Sequence, residues 1–265
     1  MPYFRFEKGP RIPNSKYIDI DDISARRDLY PELNPKGLPH MMPPKELFAA
    51  LMDEYDIRNP DHIIIYGRET CIFLPRTWFL FRSLGHDPGK IHLMQGSLEE
   101  WIDAGGEIDN RFCRVPKAND LNLRRKTAYV PRDASYICEM SEILSSVMKD
   151  GVGLDKETII LDSRGSSYSK GHIPNAIHIP YSTLHCKENS LKLKSKKYLK
   201  KVFEAAGIKN LKTEQKIICS CGSGVSVCHL MLAMEQCGRN IDKNTQIYDG
   251  SWSEWGSDQK TPKTR

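Results

Sequence analysis

Residues 217–232 read IICSCGSGVSVCHLML. The stretch begins with β-branched and sulfur-containing residues, and after Cys221 it has two glycines and two serines within five positions. From Val227 onward, apolar residues recur at the spacing of one helix face. A β-rich run, a turn of small residues and a helix in succession indicate a strand–loop–helix unit. The pattern therefore places Cys221 at the end of a strand, in front of a tight turn.

The rest of the chain contains earlier copies of this stretch and of its neighbours. Three pairs of similar segments occur in the same order, at offsets of about 153 to 161 residues. The pairs are 11–24 with 172–184, 63–85 with 217–238, and QGSLEEW at 95–101 with DGSWSEW at 249–255. A duplicated domain explains this order better than chance does.

Each copy alternates short β-rich runs with stretches of helical period, which predicts an α/β fold. Strands that alternate with helices favour a mostly parallel sheet with helices on its faces. Segment 114–134 is polar and contains two prolines, so we assign it as the linker between domains. The predicted organisation is a first domain at 1–113 and a second domain at 135–265.

The two copies differ in length at their beginnings. In the second copy 36 residues separate Ile137 from Ile173, whereas only 11 residues precede Ile12 in the first copy. About 25 residues, equivalent to one helix and one strand, are missing from the first copy by this comparison. We therefore expect the first domain to be truncated at its N-terminus.

Composition narrows the class of protein. Of the 265 residues, 39% are hydrophobic, and no apolar run approaches the roughly 18 residues of a membrane span. The first residues show no secretory signal, so we expect a cytoplasmic protein, or a mitochondrial one if a targeting segment is missing from this chain.

Eight cysteines, four of them within nineteen residues, favour reduced thiols over disulfides. The net charge of +5 favours anionic substrates and is no signature of nucleic-acid binding. We expect a monomer.

The small residues after Cys221 predict an anion-binding loop. Ligands of parallel α/β sheets sit where strands lead into helices, and backbone N–H groups of segment 222–226 can point inward there. The helix that follows adds the positive end of its dipole. We expect these groups to favour the thiolate of Cys221 and make it a nucleophile. Gly222 and Gly224 suit backbone angles that a larger side chain resists.

Three other readings of Cys221 compete with a nucleophile. As a buried filler it would not need a glycine-rich loop. As a zinc ligand it would act with Cys219, Cys228 and His229, but no second ligand pair of familiar spacing is present. A phosphatase loop needs an arginine about seven residues after the cysteine, and the next arginine is Arg239.

Several motifs together resemble the two-domain rhodanese family. The loop CGSGVS is similar to that of the 3-mercaptopyruvate sulfurtransferases, which have CGSGVT, rather than to that of the thiosulfate type. The other matching motifs are LPHMMP at 38–43, PRTWFLFRSLGH at 75–86, DSR at 162–164, GHIPNA at 171–176 and YDGSWSEW at 248–255. The resemblance covers nearly the whole chain and implies tandem rhodanese-like domains, of which the second is catalytic.

The resemblance implies roles for individual residues. Cys221 would take a sulfur atom from 3-mercaptopyruvate as a persulfide, with no cofactor and no metal. Ser223 would work with His40 and Asp21 of the first domain in proton transfer to the leaving enolate. A thiol such as thioredoxin or a small thiol, or cyanide, would then take the sulfur. The expected substrate-binding residues are Gly222, Gly224, Val225, Ser226, Arg164 and Lys170.

The loop between the DSR and GHIPNA motifs departs from the family. Mercaptopyruvate sulfurtransferases have two arginines there that hold the substrate carboxylate, but segment 165–170 has none. Arg164 and Lys170 are the nearest cations. Two alternatives therefore stay open, a thiosulfate sulfurtransferase and a sulfur carrier of low turnover. In the first copy, the counterpart of Cys221 falls on Gly67 or Arg68, neither of which is a nucleophile.

Overall fold

The computed structural model describes residues 2–134, 136–148, 158–186, 189 and 191–265. Ser135, the first residue of the predicted second domain, lies outside the described residues. Within them, both copies of the repeat form α/β units with parallel strands, as the sequence predicts.

In the first half, two parallel strands pair, and isoleucines occupy most of the first strand. Strand β1 (Ile63–Gly67) runs beside β2 (Ile91–Ser97), with Ile63 opposite Ile91 and Ile65 opposite Leu93. The helices of this half are α1 (Pro2–Lys8), α2 (Lys45–Glu54), α3 (Leu74–Ser83) and α4 (Leu98–Asp103). The apolar residues of α2 and α3 are buried, and α3 contacts both strands of this sheet and helix α7 of the second half.

In the second half, five parallel strands form one sheet in the order β3-β7-β6-β4-β5. The strands are β3 (Ile137–Cys138), β4 (Thr158–Asp162), β5 (Ile177–His178), β6 (Lys216–Ser220) and β7 (Thr245–Tyr248). The helices are α5 (Met140–Met148), α6 (Lys196–Ala205), α7 (Val227–Gln236) and α8 (Ser251–Trp255). All pairs are parallel, because a helix or a long connection separates each strand from its sequence neighbour.

Strand β6 lies at the centre of this sheet, and its last residue directly precedes Cys221. The strand is buried on both faces, as expected for its apolar sequence. Helix α7 begins at Val227 and ends before Gly238, whose φ of +98° suits the residue after a helix. Cys221 therefore stands at the carboxyl end of the central strand, where ligands of α/β sheets bind.

The two halves share one apolar core. Helix α3 packs on helix α7, and residues of both helices belong to the same buried cluster. The predicted linker, 114–134, packs against the first half, because Tyr129 is fully buried with its ring edge-on to Phe48. In the described part of the chain, no helix is long and apolar enough to cross a bilayer.

Candidate active site

Cys221 is nearly inaccessible at the end of β6, and its backbone is fixed by the segment that follows β7. Its N–H donates to the Oγ of Ser251 at 3.2 Å, and its carbonyl oxygen accepts from the N–H of Trp252 at 3.0 Å. The N–H of Gly224 donates to the same Ser251 Oγ at 3.2 Å. The loop therefore closes around one hydroxyl oxygen.

Ser251 was not singled out by the sequence, although it is part of the repeated DGSWSEW motif. Its φ is +50°, a left-handed conformation that non-glycine residues rarely adopt. In this conformation Oγ donates to the carbonyl oxygen of Tyr248 at 2.7 Å and lies 3.9 Å from the Sγ of Cys221. A polar oxygen is thus placed beside the candidate nucleophile.

Gly224 is the residue that makes the loop tight. Its φ is +75°, and a Cβ atom there would lie 2.7 Å from Oδ1 and 2.9 Å from the carbonyl oxygen of Asp249. The expectation that Gly222 is needed for the same reason is wrong, because nothing lies within 4 Å of a Cβ at Gly222 and its φ is not positive. One glycine, not two, sets the path of the backbone.

A buried ion pair supports the loop from the first half. The guanidinium of Arg76 on α3 contacts the carboxylate of Asp249 at 2.9 Å, and both side chains are almost inaccessible. Arg76 also donates to the carbonyl oxygens of Gly224, at 3.0 Å, and His40, at 2.7 Å. Burial alone disfavours the charge of Arg76, but Asp249 outweighs it and raises the pKa of the guanidinium.

His40 reaches Ser223 of the loop and Asp21 of its own half. Its Nδ1 lies 2.9 Å from the Oγ of Ser223, and its Nε2 lies 2.9 Å from Oδ1 of Asp21. With a proton on Nε2 donated to Asp21, Nδ1 accepts from the Ser223 hydroxyl. His40 has a φ of +58°, and Arg76 holds its carbonyl oxygen. The structure thus brings together the three side chains that the resemblance grouped with Cys221.

The last residue of the loop, Ser226, contacts Ser163, the serine of the DSR motif. Ser226 Oγ lies 3.0 Å from the Oγ of Ser163, whose N–H donates to the carbonyl oxygen of Ser220. Val225 is buried. In the part of the chain that the structure describes, the N–H groups of Val225 and Ser226 donate to no acceptor, so they are free to bind an anionic sulfur.

The two predicted cations beside the loop are placed differently from each other. Arg164 is buried, with a bidentate contact to Asp162 at 2.8 to 3.1 Å and a hydrogen bond to the carbonyl oxygen of Gly171. Its plane also covers the ring of Trp252. The prediction that Arg164 binds substrate does not fit this position, since its guanidinium is used within the domain. Lys170 is exposed at the end of a 3₁₀ turn.

Two further thiols, those of Cys219 and Cys228, belong to the same buried cluster as Cys221. Cys219 and Cys228 are completely buried, and burial raises the pKa of Cys228 to about 12 and that of Cys219 further. These two thiols stay protonated and serve as packing residues. Within the described ranges, no group of three or more His, Cys, Asp or Glu side chains is arranged to hold a metal ion.

Comparisons with known proteins agree with the architecture. A family model of the rhodanese-like domain matches residues 148–258. The 3-mercaptopyruvate sulfurtransferase of Escherichia coli (strain K12) is 27% identical over 252 residues, which cover 95% of this chain and 82% of that protein. Thiosulfate/3-mercaptopyruvate sulfurtransferase 1, mitochondrial, of Arabidopsis thaliana is 27% identical over 270 residues, covering 95% and 66%.

A solved structure shows the same fold. The 3-mercaptopyruvate sulfurtransferase SseA from Escherichia coli superposes with a TM-score of 0.70 at 23% identity, covering 94% of this chain and 86% of that one. The predicted fold class and the resemblance stated from the sequence are both confirmed. The roles of individual residues and the domain boundaries stay predictions.

Proposed function

We propose that this chain transfers sulfur from 3-mercaptopyruvate through a persulfide on Cys221, because a rhodanese-like domain model matches residues 148–258 and the chain is similar over nearly its whole length to sulfurtransferases. One observation carries the choice of donor. Asp21, His40 and Ser223 form a hydrogen-bonded chain that reaches the loop of Cys221 from the other half of the molecule. A leaving enolate needs a proton at carbon, and such a chain can deliver it.

In the first step, the thiolate of Cys221 attacks the sulfur of 3-mercaptopyruvate. A sulfur–sulfur bond forms, the carbon–sulfur bond breaks, and its electron pair leaves as the enolate of pyruvate. The outer sulfur of the persulfide keeps the proton of the substrate thiol at this point. The free N–H groups of Val225 and Ser226 are the groups proposed to stabilise the persulfide anion once that proton is lost.

The proton then moves from the persulfide to the enolate carbon. His40 accepts a proton through the Ser223 hydroxyl, is stabilised as a cation by Asp21, and returns the proton through the same hydroxyl to carbon. Pyruvate leaves with all atoms and charges accounted for, and no external oxidant or reductant is needed.

In the second step, an acceptor thiolate attacks the outer sulfur of the persulfide. A new sulfur–sulfur bond forms on the acceptor, and Cys221 leaves as a thiolate ready for another donor. A small thiol or a reduced thioredoxin would act in this way, and cyanide would give thiocyanate. Ser223 and His40 are partly exposed, and we propose that an acceptor approaches the persulfide from their side of the loop.

Thiosulfate is the second candidate donor. The short segment 165–170 has no arginine, and Arg164 is paired with Asp162, so this side of the site offers a weak clamp for a carboxylate. The Arabidopsis thaliana relative has both donors in its name. Steady-state rates with the two donors decide between them, since faster turnover of thiosulfate would overturn the choice of 3-mercaptopyruvate.

Persulfide formation on Cys221 is tested by intact-protein mass spectrometry. After incubation with 3-mercaptopyruvate and no acceptor, we expect one adduct of about 32 Da, the mass of one sulfur atom. The adduct should be absent in Cys221→Ala and retained in Cys71→Ala, the matched change in the loop of the first half. No adduct with either donor would support a binding module instead of an enzyme.

The proton chain is tested separately from the nucleophile. Ser223→Ala and His40→Asn should lower kcat with 3-mercaptopyruvate by about 10² to 10⁴. Transfer from thiosulfate releases sulfite and needs no protonation at carbon, so the same variants should lose much less with that donor. Equal losses with both donors would contradict the role assigned to the chain.

The proposal also includes the setting of the protein. We propose that it acts as a monomer in the cytoplasm, or in the mitochondrion if a targeting segment belongs to the full chain. A tagged protein in cell fractions, and its mass in solution by light scattering, test these two points.

A further inference from the structure

Asp249, the first residue after β7, is a buried carboxylate that the proposed mechanism does not use. Its side chain is only 3% exposed, and it begins the DGSWSEW motif that fixes the backbone of Cys221. Carboxylates are almost never fully buried unless a partner compensates their charge. The partners of Asp249 therefore indicate what it does.

One oxygen of Asp249 binds the first half of the molecule. Its Oδ2 accepts a hydrogen bond from the backbone N–H of Met42 at 2.6 Å. Met42 lies two residues after His40, in the LPHMMP motif. The carbonyl oxygen of His40 accepts a hydrogen bond from Arg76, the ion-pair partner of Asp249, at 2.7 Å. One buried ion pair thus holds the backbone that follows the imidazole of His40 at two points.

The ion pair makes its hydrogen bonds to the backbone around it. Arg76 donates from Nη1 to the carbonyl oxygen of Gly224 and from Nη2 to that of His40. Nη2 also lies 2.9 Å from Oδ1 of Asp249, but within the described ranges neither this Oδ1 nor the Nε of Arg76 has a well-directed hydrogen bond. Buried polar atoms without hydrogen bonds cost free energy, and buried ion pairs contribute little net stability. The backbone segments that the pair holds explain it better than stability does.

The first half shows that the repeat folds without a carboxylate at this position. Gln95 begins the matching QGSLEEW motif, and its side chain is exposed. The strand before the motif, β2, and the helix after it, α4, both form around this neutral residue. The turn itself needs no charge, which leaves the contacts with Arg76 and Met42 as the reason for Asp249.

Asp249 also lies against the loop of Cys221. A Cβ atom at Gly224 would lie 2.7 Å from its Oδ1, so the carboxylate packs beside the residue that follows Ser223. One side chain therefore touches both the loop that carries Ser223 and the segment that carries His40. The distance of 2.9 Å between His40 Nδ1 and Ser223 Oγ depends on the placement of both segments.

We propose that Asp249 is a positioning residue for the proton chain, and that it sets the place of His40 relative to Ser223. The inference rests on the proposed function. Asp249 acts through the N–H of Met42 and, with Arg76, through the carbonyl oxygen of His40. His40 has a φ of +58°, which a histidine keeps only where its surroundings support it. The two contacts beside it supply that support.

A double-mutant cycle with His40 tests the inference. In Asp249→Ala, kcat for pyruvate release from 3-mercaptopyruvate should fall about 10- to 100-fold, because a small displacement of a reacting group has an effect of this size. In the His40→Asn background the same replacement should lower kcat no further, since the group that it positions is gone. Equal fold losses in the two backgrounds would overturn the inference.

A second comparison separates positioning from stability, and it also serves if Asp249→Ala folds poorly. Arg76→Met combined with Asp249→Asn removes both buried charges, so it should unfold at a higher urea concentration than Arg76→Met alone. Its kcat should nevertheless stay as low as that of Arg76→Met, because the carbonyl oxygen of His40 still lacks its donor. Recovery of kcat together with stability would overturn the inference.

Asp242→Asn is the matched control. Asp242 also pairs with an arginine of α3, Arg82, at 2.8 Å between the two halves. Among the described residues, neither member of this pair contacts His40 or Ser223. Asp242→Asn should therefore lower stability and keep the kcat of the wild type. A fall in kcat as large as that of Asp249→Ala would contradict a specific role for Asp249.

The proposed function fails in a different way. It fails if the wild-type protein forms no persulfide on Cys221 with any donor. If the persulfide forms but His40→Asn keeps full kcat, the proton chain and this inference fail together and the sulfur transfer stands. If His40→Asn lowers kcat but Asp249→Ala acts independently of it, only the positioning role fails.

Discussion

The two halves use the same strand-to-helix connection for different purposes. In the first half, residues 68–73 join β1 to α3, and in the second half residues 221–226 join β6 to α7. The loops are equal in length, so Arg68 occupies the position of Cys221, which settles the choice between Gly67 and Arg68. Arg68 pairs with Glu99 of α4, in its own half, at 2.9 Å. The scaffold thus provides the position, and the residue placed there provides the chemistry.

The same comparison places Cys71 opposite Gly224. Cys71 is half-buried, and burial raises the pKa of its thiol, so it behaves as a packing residue. Gly224 has the left-handed φ that brings the loop against Asp249. The proposed anion-binding loop thus differs from the loop of the first half at two positions, with Cys221 in place of Arg68 and Gly224 in place of Cys71.

The third residue of α3 and the third residue of α7 each contact the strand-to-helix loop of the other half. Arg76 on α3 donates to the carbonyl oxygen of Gly224, and His229 on α7 contacts the carbonyl oxygen of Ile72 at 2.9 Å. The contacts are related by the repeat, but one residue is a permanent cation and the other is not. Arg76 also binds Asp249 and the carbonyl oxygen of His40. Of the two contacts between the halves, the one made by Arg76 therefore supports the candidate active site.

Arg76→Met should produce the largest losses of stability and turnover, because it removes the contacts of Arg76 with the second half. It leaves the carboxylate of Asp249 buried without its cation, which costs about 3 to 5 kcal/mol of unfolding free energy. Turnover should fall with it, since His40 and Gly224 lose a shared donor. Urea unfolding and donor kinetics measure the two losses.

Two further variants keep that prediction testable if Arg76→Met folds poorly. Adding Asp249→Asn should restore part of the stability, because the unpaired charge is removed. Arg82→Met, on the same helix, removes pairs to the more exposed Asp242 and Glu235 and should cost less. Equal losses in the two single variants would contradict the importance assigned to the buried pair.

The sequence predicts the local parts of this arrangement. Strand β6, the turn after it and helix α7 follow from short-range patterns, and the repeat predicts a second unit of the same kind. His40, Asp21 and Ser223 were grouped only by resemblance, since 183 residues separate His40 from Ser223. Nothing in spacing or periodicity brings such distant residues together.

The residues that the sequence did not single out act over long distances or through backbone strain. Arg76 lies 148 residues from Gly224, so its role depends on how the two halves pack. Ser251 has a positive φ that serine does not predict.

The contact that His229 makes between the two halves should be weakened at low pH, because His229 and its neighbour His185 are buried. His185 Nε2 lies 2.6 Å from His229 Nδ1, and burial lowers the pKa of His185 to about 4 and that of His229 to about 3. Both pKa values are below the unfolded value of about 6.5, so the unfolded chain takes up more protons and stability falls as the pH drops below 6.5. We expect a loss of about 2 kcal/mol of unfolding free energy between pH 7 and 5.5.

Urea unfolding at several pH values, with two variants, tests this effect. His229→Gln should reduce the pH dependence by about one proton, because one of the two depressed groups is gone. His92→Gln removes an exposed histidine and should leave the slope unchanged. A slope that is the same in His229→Gln and the wild type would contradict the assignment.

The smallest changes in stability are expected from replacing the serines of the repeated motif, Ser97 and Ser251, and the two variants should differ in turnover. Ser97 begins α4 as an N-cap, with its Oγ accepting from the N–H of Glu100, and Ser97→Ala should cost about 1 kcal/mol of stability without changing turnover. Ser251, at the matching place, accepts instead from Cys221 and Gly224. Ser251→Ala should lose a similar amount of stability, about 1 kcal/mol, but should also lower kcat roughly 10-fold, because the N–H groups of Cys221 and Gly224 lose the acceptor that they share. If both variants kept full kcat, the inward turn of Ser251 would be structural, and the difference between the halves would lie in Cys221 and Gly224 alone.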